Sequence, residues 1–410
     1  MSYAQLKSLY YKSDELYAQE YLSRFNAEET IKIDFQVGER QAFFMQNAEV
    51  MTLAYKIAKL DKEIGVLCNK LPGVAISQYS KKCLIDEIVI TNKIEGVHSS
   101  RKEIGEALDI LETQSKARGT HQRFLGLVNQ YLKLIKNEPV ALESCKDIRA
   151  IYDEVFLDEV VNEDPRNRPD GELFGKKAVS VYSETDRVIH TGLTPESKII
   201  EAVDAALRFL NDDSIEELFR VCIFHYLIEY IHPFYDGNGR LGRFILSYGI
   251  SDVLSPLIAF RISETIKENI TAYYKAFKSC NDQRNLGDLT PFLLMQLNMI
   301  LISMQELKKS LQQKLATWDK YEKAIEAHCE ERELLILYSY LIQAALFSEK
   351  GISMAELVEN TRKSRYMLKP LLDKIPEEMM VVKKKGHYKF YSINLDYLNE
   401  MILKETIAKL

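Results

Sequence analysis

The residues best suited to chemistry in this chain lie in one run of thirteen, 231–243, with the sequence IHPFYDGNGRLGR. His232 is the only side chain there whose ordinary pKa lets it take a proton near neutral pH. Gly237 and Gly239 allow a tight turn, and the N–H groups of such a turn at a helix start bind anions such as phosphate. Asp236 adds a carboxylate that suits a magnesium ion bridging phosphates. The run therefore predicts a base, a metal ligand and an anion-binding loop in one place.

Two arginines follow this loop. Arg240 and Arg243 lie three residues apart on the predicted first turn of the next helix, where the helix dipole disfavours cations. Their positions indicate that an anion binds beside them. Each residue alone also fits an ordinary capped loop, but no folding requirement asks for the whole combination.

The run resembles, position for position, the His-Pro-Phe-x-(Asp/Glu)-Gly-Asn-Gly-Arg-x-x-Arg signature of the Fic family, whose members are mostly protein adenylyltransferases. The resemblance implies that His232 deprotonates a Ser, Thr or Tyr hydroxyl on a target protein or on the chain itself. It implies that Asp236 holds Mg²⁺. The hydroxyl then attacks the α-phosphate of ATP, which leaves AMP on the protein and releases pyrophosphate.

The resemblance also assigns the phosphate-binding groups. The backbone from Gly237 to Gly239, together with Asn238, is expected to bind the α- and β-phosphates. Arg240 and Arg243 are expected to orient the β- and γ-phosphates. The intact Asn238-Gly239 pair differs from the altered loop of the family's kinase-like members.

A second short pattern precedes the motif. Residues 91–96, TNKIEG, resemble the family's inhibitory pattern (Ser/Thr)-x-x-x-Glu-(Gly/Asn) at the end of a predicted helix, 80–96. Glu95 would carry a negative charge at a helix C-terminus, where it is unfavourable, and Gly96 is a natural C-cap. A solvated glutamate before a capping glycine is the plain alternative. The resemblance implies that Glu95 inhibits the enzyme, within one chain or across a homodimer.

Helices are expected to position the motif. The apolar run before it, residues 218–231, is too continuous for a surface helix and predicts a buried one. Ser214 and Glu217 have the spacing of a capping box at its start. Because Pro233 biases His232 away from helical torsions, the helix should stop at His232.

Two further features flank the site in the prediction. Residues 178–192 predict a short β-hairpin with a polar turn at 183–186, and family members place such a flap over the site, where its backbone aligns the target segment. This sequence lacks the common Arg after Gly-Glu and the terminal Pro-Pro of that flap.

Tyr273 and Tyr274 lie on a later helix, and the resemblance implies that they lie near the nucleotide. Paired tyrosines also commonly belong to a core.

The composition sets the broad class. The chain is 46% hydrophobic and 28% charged with a formal charge of −6, as in ordinary globular proteins, and it gives no general reason to expect nucleic-acid binding. No apolar stretch approaches membrane-spanning length, and no basic start precedes a hydrophobic run. We therefore expect a cytoplasmic protein without a membrane partner.

The C-terminal part has a different pattern. Three predicted helices, 334–346, 353–359 and 364–372, precede two strand-like segments, 379–382 and 388–393. Helices followed by a hairpin resemble a winged-helix module. Residues 351–390 contain nine Lys or Arg and five Asp or Glu. This module binds either DNA or a protein partner.

These observations predict a mostly α-helical fold with a Fic-type core, a small β-hairpin flap, an N-terminal helical domain and a C-terminal winged helix. The expected boundaries are 1–119 for the N-terminal domain, 120–298 for the core, 299–330 for a connecting helix and 331–410 for the winged helix. The expected function is AMP transfer from ATP with Mg²⁺, restrained by Glu95. The alternatives are removal of AMP, transfer of another phosphate-bearing group, and a DNA-binding regulator that senses ATP.

Overall fold

The computed structural model describes residues 3–113, 123–182, 188–385 and 388–408. Helices dominate this part of the chain, and its strands form three small antiparallel sheets. The prediction of a mostly α-helical fold is confirmed. The chain forms two compact units, residues 1–61 with 84–305 and residues 62–83 with 306–410.

The first unit contains most of the helices. They are α1 (Leu6–Tyr10), α2 (Asp14–Phe25), α5 (Arg101–Thr113), α6 (Leu125–Lys136), α7 (Cys145–Tyr152), α8 (Asp158–Glu163), α9 (Glu196–Leu210), α10 (Glu217–Ile231), α11 (Asn238–Val253), α12 (Pro256–Ala259), α13 (Ile262–Glu268) and α14 (Ile270–Asn281). Three helices contribute residues to both units: α3 (Ala48–Cys68), α4 (Gly73–Ile94) and α15 (Thr290–Glu326). A π-helical turn, Asp153–Leu157, joins α7 to α8.

Helix α10 is the centre of the first unit. Twelve of its 15 residues are buried, and it packs against α9 and α11, as expected for a helix that is apolar on all sides. The helix ends at Ile231, so His232 begins the loop where the sequence predicts it. The predicted capping box is wrong, because the N-cap is Glu216, and Ser214 instead donates its hydroxyl to the carboxylate of Asp212.

The N-terminal region contains a β-hairpin that the sequence prediction missed. Strands β1 (Thr30–Val37) and β2 (Arg40–Met45) pair antiparallel. Ile33, Phe35 and Val37 are buried in alternation with exposed polar residues, which is the period of a strand with one face on the core. The polar residues between them lower the local hydropathy, and this conceals the strand from a search for apolar runs.

The predicted flap is present as a short hairpin. Strands β3 (Ser180–Tyr182) and β4 (Val188–Thr191) pair antiparallel with an irregularity after Val181. The polar turn predicted at 183–186 lies outside the described residues.

Besides its parts of α3, α4 and α15, the described part of the second unit contains four helices and a three-stranded sheet. Its elements are α16 (Arg332–Phe347), β5 (Ile352–Ser353), α17 (Met354–Thr361), α18 (Arg365–Asp373), β6 (Met380–Lys385), β7 (Tyr388–Ile393) and α19 (Leu395–Ala408). The strand order is β5-β7-β6, so β7 pairs on both sides. Leu337, Leu341, Leu357 and Leu368 belong to its buried core. The elements follow the predicted order of helices and hairpin, and the winged-helix interpretation rests on this order.

The four-part division into 1–119, 120–298, 299–330 and 331–410 stays a prediction. Among the described residues, no helix combines the length and the apolarity that crossing a bilayer requires.

Candidate active site

His232 stands at the junction between α10 and the following loop. Its backbone is left-handed, with φ 54° and ψ 61°, which is uncommon for a residue with a side chain and is concentrated at functional sites. Burial, with a smaller contribution from nearby His190, lowers the pKa of His232 to about 4. The imidazole is therefore neutral at physiological pH. Its Nδ1 is buried without a hydrogen-bond partner among the described residues.

The segments on both sides of the flap hold this junction in place. Leu193 donates its N–H to the carbonyl of Ile231, and Gly175 donates to the carbonyl of Pro233. A Cβ on Gly192 would lie 2.7 Å from the Cβ of His232, so only glycine permits this close approach. The position of the imidazole thus depends on residues about 40 positions earlier in the chain, a separation the sequence prediction did not use.

The glycine loop is closed by the side chain of Asn238. Its Oδ1 accepts from the N–H of Phe234 at 2.9 Å, and its Nδ2 donates to the carbonyl of Phe234 at 2.7 Å. The Phe234 ring is stacked on Tyr152, with 3.6 Å between centroids. Gly237 is left-handed with φ 83° and serves as the N-cap of α11. The side chain of Asn238 therefore builds the loop, while the loop backbone faces the cleft.

One cleft brings most of the predicted site residues together. It has a volume of about 620 Å³. The predicted site residues that line it are Glu95, His232, Asp236, Gly237, Asn238, Gly239 and Tyr274. The carboxylate of Asp236 also accepts from the N–H of Gly237 at 2.5 Å. Among the described residues, no group of three or more His, Cys, Asp or Glu side chains could hold a metal ion. Asp236, the predicted magnesium ligand, lines the cleft.

Arg240 lies behind the loop, 1% exposed, and does not line the cleft. Its Nη1 donates to Glu159 at 2.8 Å, and its guanidinium lies over the ring of Phe156. Its Nε and Nη2 are buried and have no partner among the described residues. Because a buried N–H without a partner is costly, these two donors fit an anion such as phosphate.

Arg243 is held by the end of α4. Its Nε donates to the hydroxyl of Thr91 at 2.8 Å, and its Nη2 donates to Glu95 at 2.7 Å and to the carbonyl of Thr91 at 3.2 Å. The sequence places Arg243 in the first turn of its helix, but it is the sixth residue of α11 and lies in the second turn. The contact to Thr91 gives the first residue of the pattern at 91–96 a physical role.

Glu95 occupies the anion-binding position of the loop. A Cβ on Gly239 would lie 2.2 Å from Oε1 of Glu95 and 3.1 Å from Nη1 of Arg243. The carboxylate therefore rests directly against the glycine backbone and fills the space between the cleft and Arg243. Helix α4 ends at Ile94, and Gly96, with φ 73°, closes it as the sequence predicts.

The two tyrosines separate. Tyr274 lines the cleft, whereas Tyr273 is buried beneath it, with its hydroxyl 2.7 Å from Nε2 of His225. His225 lies two turns before His232 and packs under the site. Of the pair, only Tyr274 faces the space in which a nucleotide would lie.

Lys93 and Lys267 line the same cleft and were not predicted. The pKa of Lys267 is lowered, first by partial burial and then by the charge of Lys93. Two neighbouring cations that repel each other favour an anionic ligand between them. Lys267 lies far from the motif in sequence, so no spacing could have indicated it.

These features define a class of site: a buried helix, a glycine loop and a second helix that present a histidine and an anion-binding backbone to one cleft. Residues 143–248 match the model of the Fic/DOC family, and this part of the chain is a Fic domain.

Similarity to curated proteins covers the same region. The protein adenylyltransferase fic-1 of Caenorhabditis elegans is 28% identical over 161 residues, which is 37% of this chain and 28% of that protein. The protein of the same name in Caenorhabditis briggsae is 32% identical over 111 residues, which is 25% of this chain and 19% of that protein. The matched part thus spans less than a third of either relative.

A solved structure shares the fold more widely. A Fic family protein from Desulfovibrio desulfuricans superimposes with a TM-score of 0.51 over 85% of this chain and 96% of that chain, at 18% sequence identity. At this level of identity the likeness concerns the fold alone.

Proposed function

We propose that this chain transfers AMP from ATP to a Ser, Thr or Tyr hydroxyl of a protein, and that Glu95 restrains the reaction. The observation that carries the proposal is the cleft itself. A neutral buried histidine, a carboxylate and a glycine loop line it together, and the anion position of the loop is filled by a carboxylate from the chain. The family match and the relatives named adenylyltransferases support the same class of reaction.

His232 acts as the general base in this proposal. Its lowered pKa keeps the ring neutral, so a ring nitrogen can accept the proton of the target hydroxyl. The hydroxyl oxygen forms a bond to the α-phosphorus, the bond from that phosphorus to the bridging oxygen breaks, and pyrophosphate leaves. The proton stays on His232 until solvent removes it.

The anion-binding groups hold the triphosphate. Residues 237–239 line the cleft at the N-terminus of α11, where the first N–H groups of a helix have no partner within the helix and favour an anion. Lys93 and Lys267 add positive charge at the wall of the cleft, and Arg240 adds buried positive charge behind the loop, with two donors that have no partner among the described residues. Charge placed in advance where it develops in the transition state is commonly the largest contribution to such catalysis.

Asp236 is the residue that would hold Mg²⁺. One carboxylate beside a phosphate-binding loop suits this ion, which is commonly bound by one or two carboxylates together with substrate phosphates. When bound, the ion neutralises the negative charge of the phosphates.

The flap is the surface for the target segment. Val179 and Ser180, at the start of β3, line the cleft beside His232. An extended segment of the target adds to this short sheet edge through main-chain hydrogen bonds. This geometry suits an exposed hydroxyl on a flexible loop, the chain's own loops included.

The test is labelling by ATP. Protein incubated with Mg²⁺ and ATP labelled at the α-phosphate should become labelled, and γ-labelled ATP should leave no label. His232→Ala should reduce the rate about a hundred- to ten-thousand-fold. Because His232 has a left-handed backbone, His232→Asn is the better matched variant, since asparagine tolerates that conformation but cannot serve as the base.

His328→Ala, in the second unit, is the control and should label at the wild-type rate. Asp236→Ala should lose activity together with its dependence on Mg²⁺. Transfer of the γ-label, or undiminished labelling by both His232 variants with intact thermal unfolding, would overturn the assigned reaction.

A further inference from the structure

The second unit carries a concentrated basic surface on an acidic chain. Between residues 362 and 389 there are nine Lys or Arg and three Asp or Glu, although the whole chain has a formal charge of −6. We call the exposed part of this segment the basic face. It consists of Arg365 and Lys369 on α18 and Lys383, Lys384 and Lys389 on the β6–β7 hairpin, all of them exposed.

Helix α18 presents a side that its own core does not use. Leu368, Leu371 and Leu372 are buried and fix the helix to the unit. Arg365 and Lys369 are exposed beside this buried stripe at i and i+4, so the two charges neighbour each other. Tyr366 between them is 88% exposed and Met367 is 48% exposed. The exposed part of α18 therefore combines two positive charges with an aromatic side chain.

The hairpin shows the same excess of charge. Lys384 and Lys389 are directly opposite across the strands, and such like-charged cross-strand pairs are destabilising. Neither lysine forms an ion pair with a carboxylate in the described part of the chain. Tyr388, opposite Lys385, is 67% exposed. An anionic partner would relieve the repulsion that the hairpin carries.

We propose that the basic face binds duplex DNA. A helix that projects long cationic and aromatic side chains fits the major groove, which is about 12 Å wide. The lysines of the hairpin then neutralise phosphates of the backbone, which supply most of the sequence-independent affinity. The order of helices followed by a basic hairpin agrees with this mode of binding. An acidic protein is the competing partner, and the experiment below distinguishes it from the duplex.

The experiment measures fluorescence anisotropy of a labelled 30-base-pair duplex with the full chain, from low to physiological salt. Wild type should bind at low salt and weaken steeply as salt rises. Arg365→Glu with Lys369→Glu, and separately Lys383→Glu with Lys384→Glu, should each weaken binding at least tenfold. The hairpin pair should also reduce the slope of log K against log salt by about 2, because each phosphate contact contributes about 0.9.

Lys56→Glu with Lys59→Glu is the matched control. These lysines are exposed on α3 in the first unit, and the substitution changes the net charge by the same amount. The control should bind like wild type. No binding at low salt, an equal loss in the control, or poly-glutamate binding as tightly as the duplex would overturn the proposal, the last in favour of an acidic protein partner.

Discussion

The charges of Glu95 and Arg243 stabilise each other. Glu95 follows the C-terminal end of α4, where negative charge is unfavourable, and Arg243 is 2% exposed. Their contact of 2.7 Å, with the hydroxyl of Thr91 completing the set, satisfies both charges without nucleotide. In the proposed reaction a γ-phosphate would need the same guanidinium, so carboxylate and phosphate would compete for it. The contact between Glu95 and Arg243 is made within one chain.

We therefore predict that Glu95→Gly raises the initial rate of self-labelling by α-labelled ATP at least tenfold. A tenfold increase needs only about 1.4 kcal/mol of barrier. Truncating one partner of a buried ion pair commonly costs about 3–5 kcal/mol, and Glu95, one-third exposed, should give less than that. The rate is measured at fixed ATP for wild type, Glu95→Gly, and Glu95→Gly with Arg243→Ala.

Glu39→Gly, which removes an exposed carboxylate in the β1–β2 turn, is the control and should leave the rate unchanged. If Glu95→Gly labels no faster than wild type, the inhibitory role is wrong. If adding Arg243→Ala leaves the faster rate intact, Arg243 does not hold the γ-phosphate.

At the scale of elements, the proposed inhibition requires that α4 stay in place. Glu87, two turns before Glu95, is fully buried on this helix. Its carboxyl accepts from the hydroxyl of Ser263 at 2.5 Å and the N–H of Ser263 at 3.1 Å, both at the start of α13, and from Ser247 of α11 at 3.4 Å. Glu87 thus joins the inhibitory helix to two helices of the core.

We predict that Glu87→Ala partly releases inhibition. The buried donors of Ser263 would lose their acceptor, at a cost of about 1–3 kcal/mol. The end of α4 would then hold Glu95 less firmly, so self-labelling should rise severalfold while thermal stability falls. Glu87→Gln keeps an acceptor of the same shape and should remain inhibited.

A double variant separates this relay from a simple loss of stability. Because Glu87 is argued to act through Glu95, Glu87→Ala should add nothing to the rate of Glu95→Gly. A further increase in the double variant, or activation by Glu87→Gln equal to that by Glu87→Ala, would refute the relay.

The same scale shows what the sequence could and could not predict. Pro233, Gly237 and Gly96 act through local backbone torsions, so the end of α10, the glycine loop and the end of α4 were predictable from neighbouring residues. The partners of the two arginines were not all predictable. Glu159 meets Arg240 across 81 positions, and this pairing has no local signal. The family resemblance identified Glu95 as a site residue, but it did not indicate that Thr91 would accept hydrogen bonds from Arg243.

At the scale of the whole molecule, the first unit holds carboxyl groups away from water. Burial raises the pKa of Glu229 to about 8 and that of Glu87 to about 7, with nearby Arg243 opposing the shift in both. Oε1 of Glu229 has no hydrogen-bond partner among the described residues, and a Cβ on Gly242 would lie 2.2 Å from it. Both groups are therefore close to a change of charge near neutral pH.

The sign of the effect on stability follows from linkage. In the unfolded chain both carboxyls titrate at their ordinary pKa near 4.5, so above about pH 6 they are ionised there. The folded protein still binds protons on them up to pH 7–8. Stability falls with rising pH wherever the folded state binds more protons than the unfolded state. The stabilising contribution of these two carboxyls therefore falls as pH rises and is lost once pH has passed their folded pKa values. The histidines with lowered pKa values act in the opposite direction at lower pH.

We predict that the free energy of unfolding of wild type falls relative to that of Glu87→Gln with Glu229→Gln by about 1.5 kcal/mol between pH 7 and pH 8.5. Glutamine has the same shape and does not titrate, while other shifted groups such as Lys314 are present in both proteins and cancel in the difference. Urea unfolding of the two proteins at several pH values gives the comparison. If the difference in unfolding free energy between the two proteins is constant from pH 7 to pH 8.5, both carboxyls are already ionised in the folded protein. Arg243 would then lie beside two negative charges, those of Glu95 and Glu229.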